Sequence, residues 1–479
     1  MAMTGFRRFF PPLEILTPEQ LEEIHQGTLA VLERTGIQIT HKRALKLLKE
    51  NGCRIDSARN RVRFPPGLVE ACLRRAPSCF TVKARDPKKD LMIGGNTTYF
   101  GSAPGTKTID LDTWEPREVS RTEFFEALTV LDALDNIHYL TSFTPYFGYQ
   151  GVPQDMIMLE TCAAKIRYST KCQTVGYSNN SEIFQLQMAQ AAGIELVCTV
   201  TPSPPLTLYD DALEACFRWA DADMPCRILS GAVYGATGPA TIAGSSLTNN
   251  AEVLAALVIL QLIRPGLRVI VKDMAVPQNM RTGAPAFSNI GACLHGVVFN
   301  QLCRKYGIPA EFNSAYPNSK MPDYQCGYEK ALMVFNAAVS GAHMQFLAGA
   351  VHGQLTHHPL MSILDNDLAG IVGRFLEGVE VSRDTLAVDL IDEIGPIPGQ
   401  YLTTAHTRQW WRKEQYMPKV ADALTYSEWQ AAGKKGCLDH AKERLQEILT
   451  THQPVPIPAA VEADIERIMN DARKYYKLQ

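Results

Sequence analysis

Short apolar runs rich in β-branched and aromatic residues alternate with longer amphipathic stretches through the middle of the chain. The runs have the composition of buried strands, and the stretches between them are long enough to form crossover helices. Eight such runs begin near Thr97, Ile137, Cys172, Glu195, Cys226, Arg268, Ala310 and Met344. The pattern predicts an α/β fold, a (β/α)₈ or TIM barrel, with reactive groups at the C-terminal ends of its strands.

Two further segments flank the predicted barrel. Before it, Thr17-Pro18-Glu19-Gln20 supplies an N-cap, a proline at the first helical position and an acidic first turn. After it comes a stretch rich in proline, glycine and aromatic residues, and then a last amphipathic stretch. We therefore predict an N-terminal helical extension over residues 1–95, the barrel over residues 96–380, and a C-terminal aromatic and helical segment over residues 381–479.

Composition and charge narrow the class of protein. The chain has 479 residues, a net charge of −3 and a pI near 6.4, so we expect neither nucleic acid nor an anionic membrane as a partner. Twelve scattered cysteines without a CxxC pair are typical of a reduced, cytoplasmic protein, and the first residues lack the apolar core of a secretory signal. The most apolar stretch, Val253 to Ile263, is too short to span a bilayer and predicts a buried barrel helix.

Most short catalytic signatures are absent from the sequence. It contains no GxGxxG or GxxxxGK[ST] phosphate-binding loop, no HExxH and no GxSxG elbow, so no standard NAD, nucleotide, zinc or serine-hydrolase site is expected. His352, His357 and His358 lie close together after the eighth run. Adjacent histidines usually point in different directions and no third ligand is evident, so we expect no metal and keep a metal-dependent barrel as an alternative.

Aromatic residues collect at the predicted C-terminal ends of the strands. They are Phe100, Phe143, Tyr146, Phe147, Tyr149, Tyr177, Tyr209, Tyr234, Phe312, Tyr316 and Tyr324. Rings that line one mouth of a barrel suit a cationic ligand, above all a quaternary ammonium, which has no N–H to donate and is held by cation–π attraction. For any single ring, packing in the core of the barrel or of a loop is the alternative.

Polar side chains occur at the same predicted end. They are Lys272, Asp273, Arg281, Glu311, Asn313, Lys320, Asp323, His352 and Gln354. Glu311 lies within a strand, so its burial requires either a cationic ligand or a structural ion pair inside the barrel. Arg281 follows the sixth run, where it would bind a substrate carboxylate, or else remain solvated or cap a helix.

Four stretches together closely resemble one known family. They are GATGPATIAGSSLTNNAEVLAALVILQLIRPG from Gly235, NMRTG from Asn279, SKMPDYQCGYEKA from Ser319, and EIGPIPGQYLTTAHTRQWWRKEQYMPKVADALTYSEW from Glu393. In combination they resemble the trimethylamine methyltransferase superfamily, corrinoid-dependent (β/α)₈ enzymes of about this length. The resemblance covers nearly the whole chain.

One departure from that family bears on the substrate. Trimethylamine enzymes of the family carry pyrrolysine, which we would place near Tyr324, whereas this chain contains only standard residues. The resemblance therefore implies the branch without pyrrolysine, which transfers a methyl group from a quaternary amine to the cob(I) centre of a separate corrinoid protein. It implies glycine betaine as the first candidate substrate, proline betaine, carnitine or another methylamine as alternatives, and no metal, NAD or S-adenosylmethionine.

The resemblance and the strand-end residues together suggest roles for individual side chains. We expect catalytic roles for Glu311 and His352, and substrate-binding roles for Phe100, Tyr146, Tyr177, Tyr234, Arg281, Phe312, Asn313 and Tyr324. Glu311 would complement the ammonium charge inside a cage of rings, while Arg281 or His352 would bind a carboxylate. A non-catalytic quaternary-amine-binding barrel stays open, as does a homo-oligomer in which Trp410, Trp411 and Tyr416 pack on a neighbouring subunit instead of on their own barrel.

Overall fold

Eight parallel strands form a closed barrel in the computed structural model, which describes residues 5–314 and 316–478. The strands are β1 (Thr97–Ser102), β2 (Tyr139–Leu140), β3 (Cys172–Val175), β4 (Leu196–Val200), β5 (Cys226–Ser230), β6 (Val269–Asp273), β7 (Ala310–Asn313) and β8 (Met344–Ala348). Each pairs with the next, and β8 pairs with β1 to close the barrel. All eight runs predicted as strands are thus confirmed, and the prolines near the fourth run follow β4 instead of interrupting it.

A helix follows each strand, as the alternation of runs and amphipathic stretches predicts. These helices are α1 (Arg121–Ala133), α2 (Ile157–Tyr168), α3 (Ser181–Ala192), α4 (Asp210–Asp221), α5 (Ile242–Ile263), α6 (Ile290–Tyr306), α7 (Tyr324–Val339) and α8 (Pro359–Leu376). Several begin at a side-chain cap, because the first backbone N–H groups of a helix have no partner within it. Ser120 and Glu123 form a capping box on α1, and Asp323 accepts from the N–H of Cys326 at the start of α7.

Helix α5 is apolar on nearly all sides over its second half, Val253 to Ile263, because it is covered on both sides. It is the one helix among the described residues that is long and apolar enough to cross a membrane, but 78% of its apolar window is buried within the fold. Asn250 of α5 donates to Thr28 in the N-terminal extension (3.0 Å) and to Tyr306 of α6 (2.8 Å). The predicted buried barrel helix is confirmed, and its flat hydrophobic pattern reflects enclosure between the barrel and the N-terminal helices.

The N-terminal extension contains strands as well as the predicted helices. Its helices are Pro18–Arg34, Lys42–Glu50 and Pro66–Leu73, and Thr17 with Gln20 forms the expected capping box. Strands Ile37–Ile39, Arg54–Asp56 and Arg61–Arg63 form a small sheet with Thr207–Leu208, while Phe6–Arg7 pairs with β1. The extension therefore contains short strands beside its helices, and strands this short, made largely of polar residues, leave no periodic signal in the sequence.

A hairpin at the end of this extension closes the N-terminal end of the barrel. It consists of strands Cys79–Val82 and Leu91–Gly94, joined through the 3₁₀ turn Pro87–Lys89. Its apolar residues Phe80, Val82, Leu91 and Ile93 belong to one buried cluster with inward residues of the barrel strands, among them Tyr99 and Met344. The barrel is therefore accessible to a small molecule at its C-terminal end.

Short strand pairs and one turn occupy the loops at that C-terminal end. They are Thr108–Ile109 with Pro116–Arg117, Val233–Tyr234 with Val276–Pro277, Ala350–Val351 with Thr356–His357, and the 3₁₀ turn Gln154–Met156. The strand pairs stabilise the loops after β1, β5, β6 and β8, the turn lies in the loop after β2, and these loops shape the entrance to the barrel.

The C-terminal segment consists of helices joined by irregular chain. The helices are Arg383–Leu386, Val388–Ile394, Ala405–Glu414, Tyr426–Ala431, Cys437–Thr451 and Ala459–Tyr475. Tyr416 donates to Asp367 of α8 (3.3 Å) and so packs on its own barrel, while Trp410 is buried and Trp411 is 40% exposed. The first two helices contain no buried residue.

Candidate active site

A cavity of about 340 Å³ opens at the C-terminal end of the barrel. It is lined by Pro104, Thr141, Ser142, Phe143, Phe147, Gly176, Tyr177, Thr199, Thr201, Arg227, Leu229, Lys272, Met274, Tyr316, Phe346 and Gln354. These residues lie on the inner face of the strands or just beyond the strand ends. Phe147, Tyr177 and Gln354 are only partly buried, so a small molecule can enter from this side. The volume is at the lower end of the range for small-ligand sites.

Arg227 and Lys272 line the bottom of this cavity and Glu311 bonds to both from beneath; we call these three side chains the floor. Arg227 of β5 donates through Nη1 to Glu311 Oε2 (3.0 Å), and Lys272 of β6 donates through Nζ to Glu311 Oε1 (3.1 Å). The hydroxyl of Tyr139 also donates to Glu311 Oε1 (3.0 Å), while Arg227 Nη2 donates to Thr199 Oγ1 (2.8 Å). Glu311 is fully buried, and this shared network satisfies its carboxylate.

Burial and charge act in opposite directions on the protonation of the floor. Burial raises the pKa of Glu311, but Arg227 and Lys272 outweigh that effect, so its pKa lies below the ordinary value and the carboxylate is ionised. For Lys272 burial dominates and lowers the pKa to about 7, although Glu311 opposes the shift. The floor therefore holds a permanent anion beside a lysine that titrates near neutral pH.

Aromatic rings form much of the wall above this floor. Phe143 and Phe147 stack with their centroids 4.3 Å apart, and Tyr177 lies on the next strand-end loop. Tyr316 and Phe346 meet edge to face at 5.3 Å on the other side. The Nζ of Lys272 lies 3.3 Å from the centroid of Phe346, so that ring already holds a cation of the protein itself.

Phe143 has an unusual backbone conformation. Its φ of 59° is in the left-handed region, which a bulky residue rarely adopts. The flanking residues hold it there: the N–H of Ser142 donates to Thr174 Oγ1 (2.8 Å), and Ser102 Oγ donates to Thr144 Oγ1 (2.9 Å). A side chain held into a cavity against backbone strain marks that position as a functional candidate.

One of the residues expected from the sequence lines this cavity, and a second lies beneath its lining. Tyr177 lines it, with its hydroxyl 3.4 Å from the carbonyl of Thr201, and Glu311 bonds to the lining residues Arg227 and Lys272. Glu311 does have the ion-pair partners foreseen as the alternative to a cationic ligand, and these partners themselves line the cavity.

Four of the expected ring residues are buried outside the cavity lining. Phe100 belongs to a cluster between the barrel and α1, and Tyr146 donates to Thr108 Oγ1 (3.1 Å) within the same cluster. Phe312 packs against Gly296 of α6, where an added Cβ would overlap its ring. Tyr234 stacks on His295 of α6 at 5.8 Å. Their rings therefore pack against the surrounding helices or loops.

The other expected residues also lie outside the cavity lining. Arg281 is exposed, and Tyr324 is 88% exposed at the start of α7. Asn313 borders a narrow cleft between β7 and α6. His352 lies half-buried in the loop after β8, where burial and Lys320 lower its pKa. The structure thus brings neither Arg281 nor His352 to the floor.

Several cavity residues have no role that the sequence predicts. The sequence places Phe143, Phe147, Tyr316 and Lys272 at strand ends without indicating a role, and it does not indicate Arg227 or Phe346 as site residues. For Arg227, alternation within the strand is the feature of the sequence that indicates a role. An arginine at an inward-facing position of the buried run CRILS needs a partner inside the barrel.

The histidines after β8 point apart. His357 Nδ1 donates to the carbonyl of Ala103 (2.7 Å), whereas His358 Nδ1 accepts from the N–H of Leu360 (3.1 Å) at the start of α8. Within residues 5–314 and 316–478, no three His, Cys, Asp or Glu side chains converge as metal ligands.

Comparison with known proteins identifies the family. The model of the trimethylamine methyltransferase (MTTB) family matches residues 1–475. The trimethylamine methyltransferase MttB of Desulfitobacterium hafniense (strain DSM 10664 / DCB-2) is 29% identical over 475 residues, which cover 96% of this chain and 94% of that protein. A glycine betaine methyltransferase of Desulfitobacterium hafniense (strain Y51) is 28% identical over 476 residues, covering 96% and 97%.

A solved structure supports the fold. The monomethylamine methyltransferase MtmB of Methanosarcina barkeri superimposes with a TM-score of 0.51 at 12% identity, covering 96% of this chain and 92% of that one. At this identity the likeness concerns the barrel architecture alone. Since the family model spans nearly the whole chain, the protein belongs to the trimethylamine methyltransferase family of corrinoid-dependent methylamine methyltransferases.

Proposed function

We propose that this enzyme transfers a methyl group from a quaternary amine, with glycine betaine as the first candidate, to the reduced corrinoid of a partner protein. The observation that carries the proposal is the cluster of aromatic rings at the open end of the barrel, in a cavity sized for a small molecule. The similarity to a glycine betaine methyltransferase supports the same substrate.

Methyl transfer from a quaternary amine requires no proton transfer by the protein. When the N–CH₃ bond breaks, its electron pair stays on nitrogen and leaves a neutral tertiary amine, so no general acid is needed. Phe143, Phe147 and Tyr177 would hold the ammonium by cation–π contact and aim one methyl group at the opening. Because positive charge leaves nitrogen in the transition state, this contact should be moderate, so that the ground-state cation is not overstabilised.

The methyl acceptor would approach from the open side of the cavity. The partner's reduced corrinoid supplies the nucleophile that takes the methyl group. Phe147, Tyr177 and Gln354 are partly exposed at the rim, which fits an acceptor brought by another protein. Glu311 lies beneath these residues and bonds to side chains of the floor, so we assign it a positioning role there.

Methyl transfer to reduced cobalamin tests the proposal directly. The purified protein would be mixed with reduced cobalamin, or with a reduced corrinoid protein, and with glycine betaine, proline betaine, carnitine, choline or trimethylamine in parallel. We expect the absorbance of the reduced corrinoid to decay with a quaternary amine and not with trimethylamine. Turnover of trimethylamine alone would contradict the proposal, and tight glycine betaine binding without turnover under all conditions would favour the non-catalytic binding protein.

A further inference from the structure

The floor of the cavity carries more positive than negative charge. Arg227 and Lys272 together face the single carboxylate of Glu311, and all three are buried. A second buried carboxylate, Asp273 of β6, does not neutralise this charge. It bonds to His295 of α6 (2.8 Å) and Asn249 of α5 (3.2 Å), which lie in the helix layer. With both cations protonated, the floor has one unbalanced positive charge at the base of an aromatic pocket.

Hydrogen-bond donors on this floor are also unused. Among residues 5–314 and 316–478, Glu311 is the one hydrogen-bond partner of Lys272 Nζ, although an ammonium carries three donors. In the same part of the chain, the buried Nε of Arg227 has no partner. Buried donors and an unbalanced buried charge cost free energy unless a ligand supplies acceptors. A ligand that would balance the charge and accept from the spare donors of Lys272 is an anion such as a carboxylate, whereas the Nε of Arg227 is enclosed within the floor.

We propose that Arg227 and Lys272 form a carboxylate-recognition subsite, which makes the substrate a zwitterionic, N-methylated amino acid. This inference rests on the proposed function and adds the substrate class and the substrate's orientation. The carboxylate lies on the floor, and the ammonium lies higher, against Phe143, Phe147 and Tyr177. The methyl groups then point to the opening. Phe346 takes no part in the cage because Lys272 covers its face.

The subsite predicts a ranking of ligands that is measured without any corrinoid. By calorimetry, the wild-type protein should bind glycine betaine about tenfold to a hundredfold more tightly than choline, which replaces the carboxylate by a neutral hydroxymethyl group, or tetramethylammonium, which lacks it. Acetate should compete with glycine betaine. Equal affinities for glycine betaine, choline and tetramethylammonium would contradict the subsite. This measurement uses the wild-type protein alone.

Replacing Lys272 tests the assignment to one residue. In Lys272→Met we expect glycine betaine affinity to fall about tenfold to a hundredfold, while choline and tetramethylammonium affinities do not fall, because the substitution removes a positive charge that repels both cations. Lys320→Met, an exposed lysine on the loop after β7, is the matched control and should change nothing. If Lys272→Met keeps the preference for glycine betaine and Arg281→Ala loses it, the carboxylate binds at the loop after β6 and the inference is wrong.

The outcomes separate this inference from the proposed function. Carboxylate-dependent binding without methyl transfer would leave the subsite in place and remove the catalytic proposal. Methyl transfer from choline as fast as from glycine betaine would keep the catalytic proposal and remove the subsite.

Discussion

Raising the pH should weaken glycine betaine binding, because the lysine at the proposed subsite loses its proton within the accessible range. Burial lowers the pKa of Lys272 to about 7, with Glu311 opposing the shift and Arg227 adding to it. The folded-state pKa thus lies below the ordinary value of 10.5, so the charged form dominates below pH 7 and disappears above it. Glycine betaine is a clean probe, since neither its carboxylate nor its quaternary ammonium titrates between pH 6 and 9.

The expected size follows from linkage. If the carboxylate binds the protonated lysine, the apparent Kd rises about tenfold for each pH unit above the pKa. Affinity should therefore be nearly constant below pH 7, about tenfold weaker at pH 8 and about a hundredfold weaker at pH 9. Binding at pH 8 should take up about one proton, because the bound carboxylate restores the charged form.

Three other ionisable groups near Lys272 do not titrate between pH 6 and 9, and a fourth titrates there but lies outside the cavity. Glu311 stays ionised throughout, and burial raises the pKa of both Tyr177 and Tyr316 far above this window. Lys165 of α2 does titrate near the window, since burial lowers its pKa to about 8. Its Nζ donates to the carbonyls of Thr141 and Thr174 (3.0 and 2.7 Å) behind the wall, outside the cavity lining.

Calorimetry at pH 6, 7, 8 and 9, in buffers of different ionisation enthalpy, gives the affinity and the proton uptake together. Lys272→Met should show a flat profile with no uptake at pH 8, which separates its contribution from that of Lys165. A wild-type affinity that is the same at pH 7 and pH 9 would refute the reasoning.

Three substitutions test other parts of the structure. Phe143→Leu should weaken glycine betaine binding by about 0.5–2 kcal/mol through loss of one cation–π contact, measured by calorimetry; unchanged affinity would remove Phe143 from the cage. Gly101→Ala should cost about 1–3 kcal/mol in denaturant unfolding, because the added methyl group overlaps the ring of Tyr139, and an unchanged midpoint would contradict that packing. Lys330→Met should cost about 3–5 kcal/mol of unfolding free energy by leaving Asp365, its buried partner at 2.6 Å, unpaired; recovery in Lys330→Met/Asp365→Leu is expected, and failure to recover would speak against the ion pair.

The barrel was predictable because its signal is repeated along the chain. Each buried run has a length and composition that suit a parallel strand, and each following stretch is long enough to return to the same sheet edge. The N-terminal sheet was not predictable by the same means. Strands such as Arg54–Asp56 and Arg61–Arg63 alternate charged and apolar residues over three positions, too few to establish a period.

The site was only partly predictable because neighbouring residues of a strand point to opposite faces. Glu311 and Phe312 were both expected at the substrate, yet alternation allows one of them to face the interior, and Phe312 packs against α6. Phe100 faces outward for the same reason, beside Gly101, which leaves room for Tyr139. The place of Arg227 in the site could not be predicted, because nothing in its immediate sequence shows that Glu311, 84 residues later, lies beside it.

The sequence alone determined the barrel, its eight strands, the family and the end at which the cavity opens, because these depend on hydrophobic period, element order and sequence motifs, all of which can be read along the chain. The tertiary structure decided which side chains meet: β5, β6 and β7 bring Arg227, Lys272 and Glu311 together under five aromatic rings, and their register sets which face each side chain takes. The charge of Lys272 was likewise decided by the tertiary structure. Its pKa falls to about 7 because the side chain is buried, and only the assembled barrel buries it.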